Sequence, residues 1–418
     1  MIMAACYLDS HNPVHCYGCE ACVQACAKGA IRMEEDSEGF RYPVIDDSLC
    51  INCGLCRKSC PFVNPPVRHI DEKLVYGGYH KNAVIRDAST SGGAFSAIVE
   101  SWCDENYVIF GAVADGLEVY HTYIEDKKEL ALFRKSKYSQ SRMGSAYADA
   151  KRFLKQGKNV LFSGTPCHIA GLKSYLRGKE YENLLTVEVV CEGVPSPLYI
   201  RKFADYIRET HGSRLCGIDY RYTDSAPISS PETTTPGKWD FQVMRLVLEN
   251  GKEIKKDRWF NPFWSVWLNH LMSRPSCYEC PFASVERNAD VTLGDLWGVH
   301  LYCPDLYGRN GGSSLIVCNS RQGRTAWKKA QEHMFGRELD FPTALKYQGP
   351  MRGHIAPNEL RAECMADLQN CNYLEINKKW AKRPTARLLW QKYVWGNRQK
   401  IWLWNLTQRL KNTFTSGK

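Results

Sequence analysis

The chain has 418 residues, of which 44% are hydrophobic and 12% aromatic, a composition that suits two or three packed domains. Nineteen cysteines without a secretory signal argue against a disulfide scaffold, and no apolar run approaches the roughly 18 residues of a membrane-spanning helix, so we expect a cytoplasmic protein. The net charge is +10, but residues 377–418 hold eleven lysines and arginines and no acidic residue, and subtracting them leaves the rest near −1. The basic charge belongs to the tail, and no nucleic-acid partner is expected.

Two cysteine runs with the spacing C-x2-C-x2-C-x3-C open the chain. They comprise Cys16, Cys19, Cys22 and Cys26, and then Cys50, Cys53, Cys56 and Cys60. This spacing is typical of a ferredoxin with two [4Fe-4S] clusters, in which the fourth cysteine of each run ligates the other cluster. We therefore predict one cluster on the first three cysteines with Cys60 and another on the next three with Cys26, with each fourth cysteine starting a helix. A pair of zinc knuckles is the alternative, although this triple spacing is unusual for zinc.

Strand and helix patterns alternate after a proline-rich linker at residues 64–66. The patterns predict strands at 74–79, 107–113, 119–123 and 159–164, and helices at 94–102 and 146–154. Asn250-Gly251 predicts a hairpin turn between strands at 242–248 and 252–254, and residues 226–238 predict a loop or lid. A second strand-and-loop set is expected from 289 to about 319. This alternation predicts an α/β layer arrangement.

Four isolated cysteines follow in the middle of the chain. Cys167 stands between an apolar strand and a helix, where the helix N-terminus favours a thiolate, and Cys191 ends another strand. Cys277 and Cys280 form a CxxC followed by proline. The set is compatible with a third [4Fe-4S] cluster, a zinc site or buried cysteines, and the spacing alone leaves all three open.

Three segments carry groups that a bound anion or cofactor would need. Ser91, Gly92 and Gly93 precede a helix and would suit the pyrophosphate of a dinucleotide. The second segment, Lys137-Tyr138-Ser139-Gln140-Ser141, adds a cation, an aromatic ring and donors, and in the third Gly294 and Asp295 end a strand. The structural alternatives are an N-cap on an ordinary helix, a solvated loop and a turn packed by Trp297.

The order of these motifs resembles the coenzyme F420 hydrogenase/dehydrogenase beta-subunit family. The resemblance covers about residues 12 to 340 and rests on both cysteine runs, SGG, KYSQS, GTPC-x-x-AGL, C-x-GVPSP, SCYEC and ADVTLGDLWG. Members bind FAD and a [4Fe-4S] cluster, and many carry a fused two-cluster ferredoxin. Relatives include F420 reductases, a deazaflavin-linked sulfite reductase half and 7-hydroxymethyl chlorophyll a reductase. The chain departs from the family at His168, where Gln is usual, and at Glu192, where His is usual.

The resemblance implies a third [4Fe-4S] cluster on Cys167, Cys191, Cys277 and Cys280, next to a bound FAD. The residues that it implies for the FAD pocket are Ser91, Gly92, Gly93, Lys137, Tyr138, Ser141, Gly294 and Asp295. The expected fold class is α/β (α+β overall). A ferredoxin-like domain would occupy residues 1–68, an FAD-binding part of a mixed-sheet region 72–156, its C-terminal part with the third cluster 157–350, and a basic helical tail 351–418.

The tail predicts an amphipathic helix. Its shared apolar face comprises Trp402, Leu403, Leu406, Leu410 and Phe414, with cations on either side. Such a helix can lie in the headgroup layer of an anionic membrane. Docking on the body of the protein or on a partner subunit is the alternative, and the sequence leaves both open.

These features favour an oxidoreductase that moves electrons between a hydride carrier or reducible organic substrate, at FAD, and ferredoxin-type clusters. Its partner would be a redox protein or a small-molecule electron carrier, in a monomer or an oligomer. The alternatives are an electron-relay subunit without its own substrate site and a structural zinc protein. No catalytic residue is assigned.

Overall fold

The computed structural model describes residues 5–69, 73–222, 243–257, 261–306 and 312–383, and beyond these 385–387, 390, 394–395, 399, 402–403, 406–407 and 410. The predicted loop at 226–238 lies outside the described residues. None of the helices in these ranges is long and apolar enough to cross a membrane.

The strands form three sheets. They are β1 (Ile31–Glu35), β2 (Arg41–Ile45), β3 (Leu74–His80), β4 (Tyr107–Asp115), β5 (Glu118–Ile124), β6 (Asn159–Gly164), β7 (Leu184–Val189), β8 (Leu215–Tyr222), β9 (Val243–Leu248), β10 (Glu253–Asp257), β11 (Val291–Asp295), β12 (Ser314–Cys318) and β13 (Met334–Glu338). The largest sheet has the order β13-β3-β12-β11-β7-β6-β4-β5, and the other two are the pair β1-β2 and the triplet β10-β9-β8.

The α-helices are mostly short. They are α1 (Tyr7–Ser10), α2 (Ala21–Gln24), α3 (Leu55–Lys58), α4 (Ala83–Asp87), α5 (Ala94–Trp102), α6 (Ala146–Lys155), α7 (Pro166–Tyr175), α8 (Pro197–His211), α9 (Pro262–Trp267), α10 (Val299–Tyr302), α11 (Arg321–Ala330), α12 (Phe341–Leu345), α13 (Gly349–Arg352), α14 (Arg361–Asn370) and α15 (Tyr373–Trp380). Short 3-10 segments lie at Pro13–His15, Lys127–Phe133, Pro275–Glu279, Pro304–Leu306 and Gln331–His333.

The two cysteine runs flank the antiparallel pair β1-β2. Helices α2 and α3 include the third cysteine of each run and end before the fourth, so the expectation that the fourth cysteine starts a helix is wrong. The β1-β2 turn packs against α8: a Cβ placed on Gly39 would lie 2.8 Å from the backbone nitrogen of Leu198. The backbone of Gly39 also has φ of +85°, which glycine adopts without strain.

The eight-stranded sheet is covered on both faces. Helices α5 and α11 pack on one face, in a core that includes Ile109, Leu161 and Ile316. Helices α6 and α7 pack on the opposite face, in a core that includes Phe110 and Phe162. Because both faces of the central strands are buried, these strands appear in the sequence as nearly continuous apolar runs.

A separate core, which we call the second core, lies away from the large sheet. It joins the three-stranded sheet to α8, α9, α14 and α15. The Asn250-Gly251 hairpin between β9 and β10 is present as predicted. Residues 361–380, which the sequence places with the tail, bury Cys364, Tyr373 and Trp380 in this core. The expected α/β class with a mixed sheet is confirmed, and the sheet itself runs across the predicted boundary between residues 156 and 157.

Candidate functional site

The site lies at one edge of the large sheet. Strands β4, β6, β7 and β11 are parallel to their neighbours in that order, so their carboxyl ends point the same way. Gly164 ends β6, Cys191 follows β7, and Asp295 ends β11. In open α/β sheets ligands bind outside the carboxyl ends of the strands, which is where these three positions lie.

Cys167, Cys191, Cys277 and Cys280 come together at this edge. Cys167 lies in the first turn of α7, 3.1 Å from the Thr165 hydroxyl. Cys277 lies against the backbone that follows Cys191, because a Cβ built on Gly193 would be 3.6 Å from the Cys277 Sγ.

The pKa shifts of these four thiols also indicate that the thiols lie close to one another. Burial raises the pKa of Cys191 well above its usual value, and the nearby thiolates of Cys167, Cys277 and Cys280 raise it further. Burial likewise raises the pKa of Cys167 to about 11 and that of Cys277 to about 12. In the bare protein these thiols keep their protons, and a bound metal centre would displace them.

Four cysteines of the two runs share a second location. Cys16, Cys19, Cys22 and Cys60 line one cavity, in the combination that the sequence assigns to the first cluster. The backbone amide of Gly18 donates to the Cys16 Sγ at 3.4 Å, a contact of the kind that tunes a cluster's potential.

The remaining cysteines of the runs range from buried (Cys56) through half-buried (Cys26 and Cys50) to exposed (Cys53). Cys53 is exposed, and the Cys26 Sγ accepts from the Ala30 amide at 3.3 Å. Their joint ligation of a second cluster stays a prediction.

No group of three or more His, Cys, Asp or Glu side chains in the described ranges could hold a single metal ion. A cubane attaches its four cysteines to four different irons, so its cysteines surround a volume and do not converge on one ion.

A buried arginine ties the first cysteine run to the CxxC segment. Arg274 is 1% exposed and directly precedes the 3-10 turn that carries Cys277. Its guanidinium donates to the Cys16 carbonyl at 2.9 Å, to the Gln140 side chain at 2.9 Å and to the Arg41 carbonyl at 3.0 Å. One side chain thus fixes the two cysteine sites relative to each other.

Helices α2 and α7 also bring the two sites into contact. A Cβ on Gly171 in α7 would lie 3.0 Å from the Cys19 Cβ and 2.6 Å from the Tyr147 hydroxyl oxygen, so glycine is the residue that permits this close approach. The Tyr147 hydroxyl donates to the His168 carbonyl at 3.0 Å, next to Cys167.

The ring of Tyr17 lies between the two cysteine sites. Burial raises the pKa of Tyr17, and after burial the largest contributions come from the thiolates of Cys280, Cys60, Cys19 and Cys167. Cys280 and Cys167 belong to the set of four cysteines at the sheet edge, which we call the CxxC-side set. Cys60 and Cys19 belong to the cavity of the first run. Tyr17 packs edge-on against Phe282, just beyond the CxxC, at 5.1 Å between ring centroids.

The three segments assigned to an FAD pocket also meet. The Ser136 amide, which precedes Lys137, donates to the Thr90 hydroxyl at 2.8 Å, next to Ser91. The Gly92 amide donates to the Ser314 hydroxyl at 2.9 Å, and Ser314 pairs with Asp295 across β11 and β12.

Arg221 connects the second and third of these segments. Its side chain forms a buried ion pair with Asp295 and also contacts Tyr138. Its Nη2 atom is buried and has no hydrogen-bond partner within the part of the chain that the structure describes.

Three assigned residues make other contacts. The Lys137 ammonium donates to the carbonyls of Leu132 and Arg134 at 3.1 and 2.8 Å, and burial lowers its pKa to about 8. The Ser141 hydroxyl hydrogen-bonds to His121 at 2.7 Å, on the side of the sheet edge that carries His168. A Cβ built on Gly294 would lie 2.9 Å from the side chain of Val190, which directly precedes Cys191.

The two departures from the family pattern lie beside Cys167 and Cys191. His168 is 3% exposed, and neither ring nitrogen has a hydrogen-bond partner among the described residues. Burial lowers the pKa of His168 well below its usual value, so the ring is neutral. Glu192 lies 3.6 Å from His270.

Arg274, Arg221 and Tyr17 were not identified from the sequence. Their partners lie far away along the chain; Arg274 and Cys16, for example, are 258 positions apart. The only local signals are the position of Arg274 just before the CxxC segment and that of Tyr17 inside the first run.

Comparison with known families makes the chain an iron–sulfur electron-transfer subunit of the oxidoreductase class. Residues 15–64 match the family model of the 4Fe-4S dicluster domain, and residues 157–337 match that of the C terminus of coenzyme F420 hydrogenase/dehydrogenase, beta subunit. The C-terminal region of the chain belongs to the coenzyme F420 hydrogenase/dehydrogenase beta-subunit family, and it follows a fused dicluster domain.

Two known proteins are similar to parts of the chain. The ketoisovalerate oxidoreductase subunit VorC of Methanothermobacter marburgensis is 32% identical over 62 residues, which are 14% of this chain and 78% of VorC. A chain of the F420-reducing [NiFe] hydrogenase complex from Methanosarcina barkeri is 15% identical, with a TM-score of 0.42, over 75% of this chain and 91% of that chain.

Proposed function

We propose that the chain is an FAD- and [4Fe-4S]-dependent oxidoreductase. It would pass electrons between a hydride carrier or reducible organic substrate of the F420 type and the dicluster domain. The observation that carries this proposal is the meeting of Cys167, Cys191, Cys277 and Cys280 next to the cavity of the first run. Four cysteines from three separate segments at that position suit a third [4Fe-4S] cluster between a cofactor pocket and the ferredoxin-type clusters.

FAD would bind among the three polar segments at the sheet edge, which contain Ser91, Tyr138 and Asp295. Bound FAD takes up two electrons as a hydride and releases them singly. The buried Arg221 Nη2, which lacks a partner among the described residues, fits an anionic or carbonyl oxygen of such a cofactor. Asp295 holds Arg221 in place, and Tyr138 presents a ring beside it.

The order of the cysteine sites suggests the electron path. The CxxC-side set adjoins the first-run cavity through Tyr17 and Cys19, whereas Cys53 of the second run is exposed at the surface. Leu49 and Ile51 flank Cys50 there and are 51% and 62% exposed. This apolar rim would receive a ferredoxin or a partner subunit, since VorC is by its name a subunit of an oxidoreductase.

A direct test offers the oxidised, anaerobic protein reduced F420, NADH, NADPH and reduced ferredoxin separately and follows the flavin absorbance. We expect one hydride donor and reduced ferredoxin each to bleach the flavin. Bleaching by no donor would contradict the proposal.

Arg221→Gln should lower the FAD content at least tenfold and leave the iron content unchanged. Arg214→Gln is the matched control, because Arg214 lies one residue before the same strand, β8, and forms an exposed pair with Glu249. Equal FAD retention by the two variants would refute the placement of the cofactor.

The second candidate is an electron-relay subunit without a substrate site. It is favoured by the hydrogen bonds that Ser91 and Gly92 already make to Ser313 and Ser314, which use two of the donors assigned to FAD. This candidate predicts iron–sulfur clusters without stoichiometric flavin, and no absorbance change with any hydride donor.

A further inference from the structure

The last described residues, 402–403, 406–407 and 410, have helical backbone, and most of them carry large apolar side chains. Trp402, Leu403, Leu406 and Leu410 are 62%, 47%, 38% and 50% exposed. At about 100° per residue these four positions fall within one arc of about 100°, so they form a single stripe. These four residues, which we call the tail stripe, are all exposed.

The body ends just before this segment. The Trp380 indole donates to Asp367 at 2.9 Å, and the Lys382 carbonyl accepts from Ser265 at 2.9 Å. Beyond these anchors Trp390, Val394 and Trp395 are also exposed. The chain therefore leaves the second core near residue 383 and presents aromatic and aliphatic groups to its surroundings.

The charge of the segment has a single sign. Residues 377–418 contain seven lysines, four arginines and no acidic residue. Two copies of this basic tail would repel each other. A protein partner is also disfavoured, because the core of a protein–protein interface is depleted in lysine. An anionic lipid surface attracts such a segment, and tryptophan favours the headgroup level.

We propose that the tail stripe binds the headgroup layer of an anionic lipid bilayer. The four apolar side chains would enter the boundary between headgroups and acyl chains, and the cations of residues 377–418 would be attracted to the lipid phosphates. Each cation near the surface strengthens binding about fivefold, so the interaction weakens as salt rises. This inference is independent of the proposed redox function.

The test is co-sedimentation of the full-length, cluster-loaded protein with vesicles. We expect the wild type to sediment with vesicles of phosphatidylcholine and phosphatidylglycerol at 0.1 M salt, and to remain in the supernatant with pure phosphatidylcholine. Leu410→Glu should weaken binding at least tenfold, because it removes a leucine that the bilayer would bury and adds a charge that the lipid repels.

Leu132→Glu is the matched control, since Leu132 is 48% exposed and lies in the Lys127–Phe133 turn, outside the tail. It should bind like the wild type, and equal iron content in both variants verifies folding. A wild type that stays in the supernatant with the anionic vesicles overturns the proposal and leaves a partner subunit as the occupant. Equal binding by Leu410→Glu and Leu132→Glu overturns it as well.

Discussion

Arg274→Ala should strongly destabilise the protein. The substitution leaves the Cys16 carbonyl, the Gln140 side chain and the Arg41 carbonyl without their donor, and it removes a cation that lies 4.3 Å from the centre of the Tyr42 ring. Hydrogen bonds from a charged donor each contribute about 1.5 kcal/mol, so the three together amount to about 4–5 kcal/mol. For a chain of this length that loss corresponds to a fall of about 5 °C in the unfolding midpoint.

Anaerobic thermal unfolding, followed by circular dichroism and by cluster absorbance, measures this effect. Arg32→Ala is the control, because Arg32 is 61% exposed in its pair with Glu34 and should contribute less than about 1 kcal/mol. The first-run cluster should bleach at a lower temperature in Arg274→Ala, since its loop loses an anchor. If the two variants unfold within 1 °C of each other, Arg274 does not hold the two cysteine sites together.

Three further predictions concern the same region. Gly171→Ala should cost about 1–3 kcal/mol in unfolding experiments, because its Cβ meets Tyr147 and Cys19, whereas Gly349→Ala, with no atom within 4 Å of the added Cβ, should be neutral; equal midpoints would contradict this. Burial lowers the pKa of His121 to about 4, so between pH 6.5 and 4 the unfolded state binds a proton that the folded state excludes. Stability should therefore fall by about 3 kcal/mol from pH 7 to pH 4, and His121→Gln should flatten this slope in denaturant titrations; an unchanged slope would refute the assignment. Cys167→Ser should abolish the third cluster's paramagnetic signal and spare both ferredoxin signals, and an unchanged iron content would refute the third site.

The regular elements could be predicted because their signals are local. The apolar run of β6 and the Asn250-Gly251 turn each determine a few neighbouring residues, and both appear as expected. The cysteine spacing likewise indicated a dicluster domain, which the family comparison confirms. Residues 361–380 could not be placed from the sequence, because a helix that packs on α8 has the same amphipathic pattern as a helix of a free tail.

The site could be predicted only in part, because its remaining groups depend on tertiary contacts. The Lys137 ammonium is a group that could bind an anion, yet it donates its hydrogen bonds to carbonyls of its own loop. Arg221 supplies a buried cation in its place, and nothing next to Arg221 in the sequence points to Asp295, 74 positions away. Arg274 was missed for the same reason.

The most direct test of the account is the metal and flavin content of protein purified without oxygen. Three [4Fe-4S] clusters and one cofactor pocket predict about twelve irons, about twelve sulfides and one FAD per chain. Eight irons with no flavin would contradict both the third cluster and the FAD site, and would leave an electron relay.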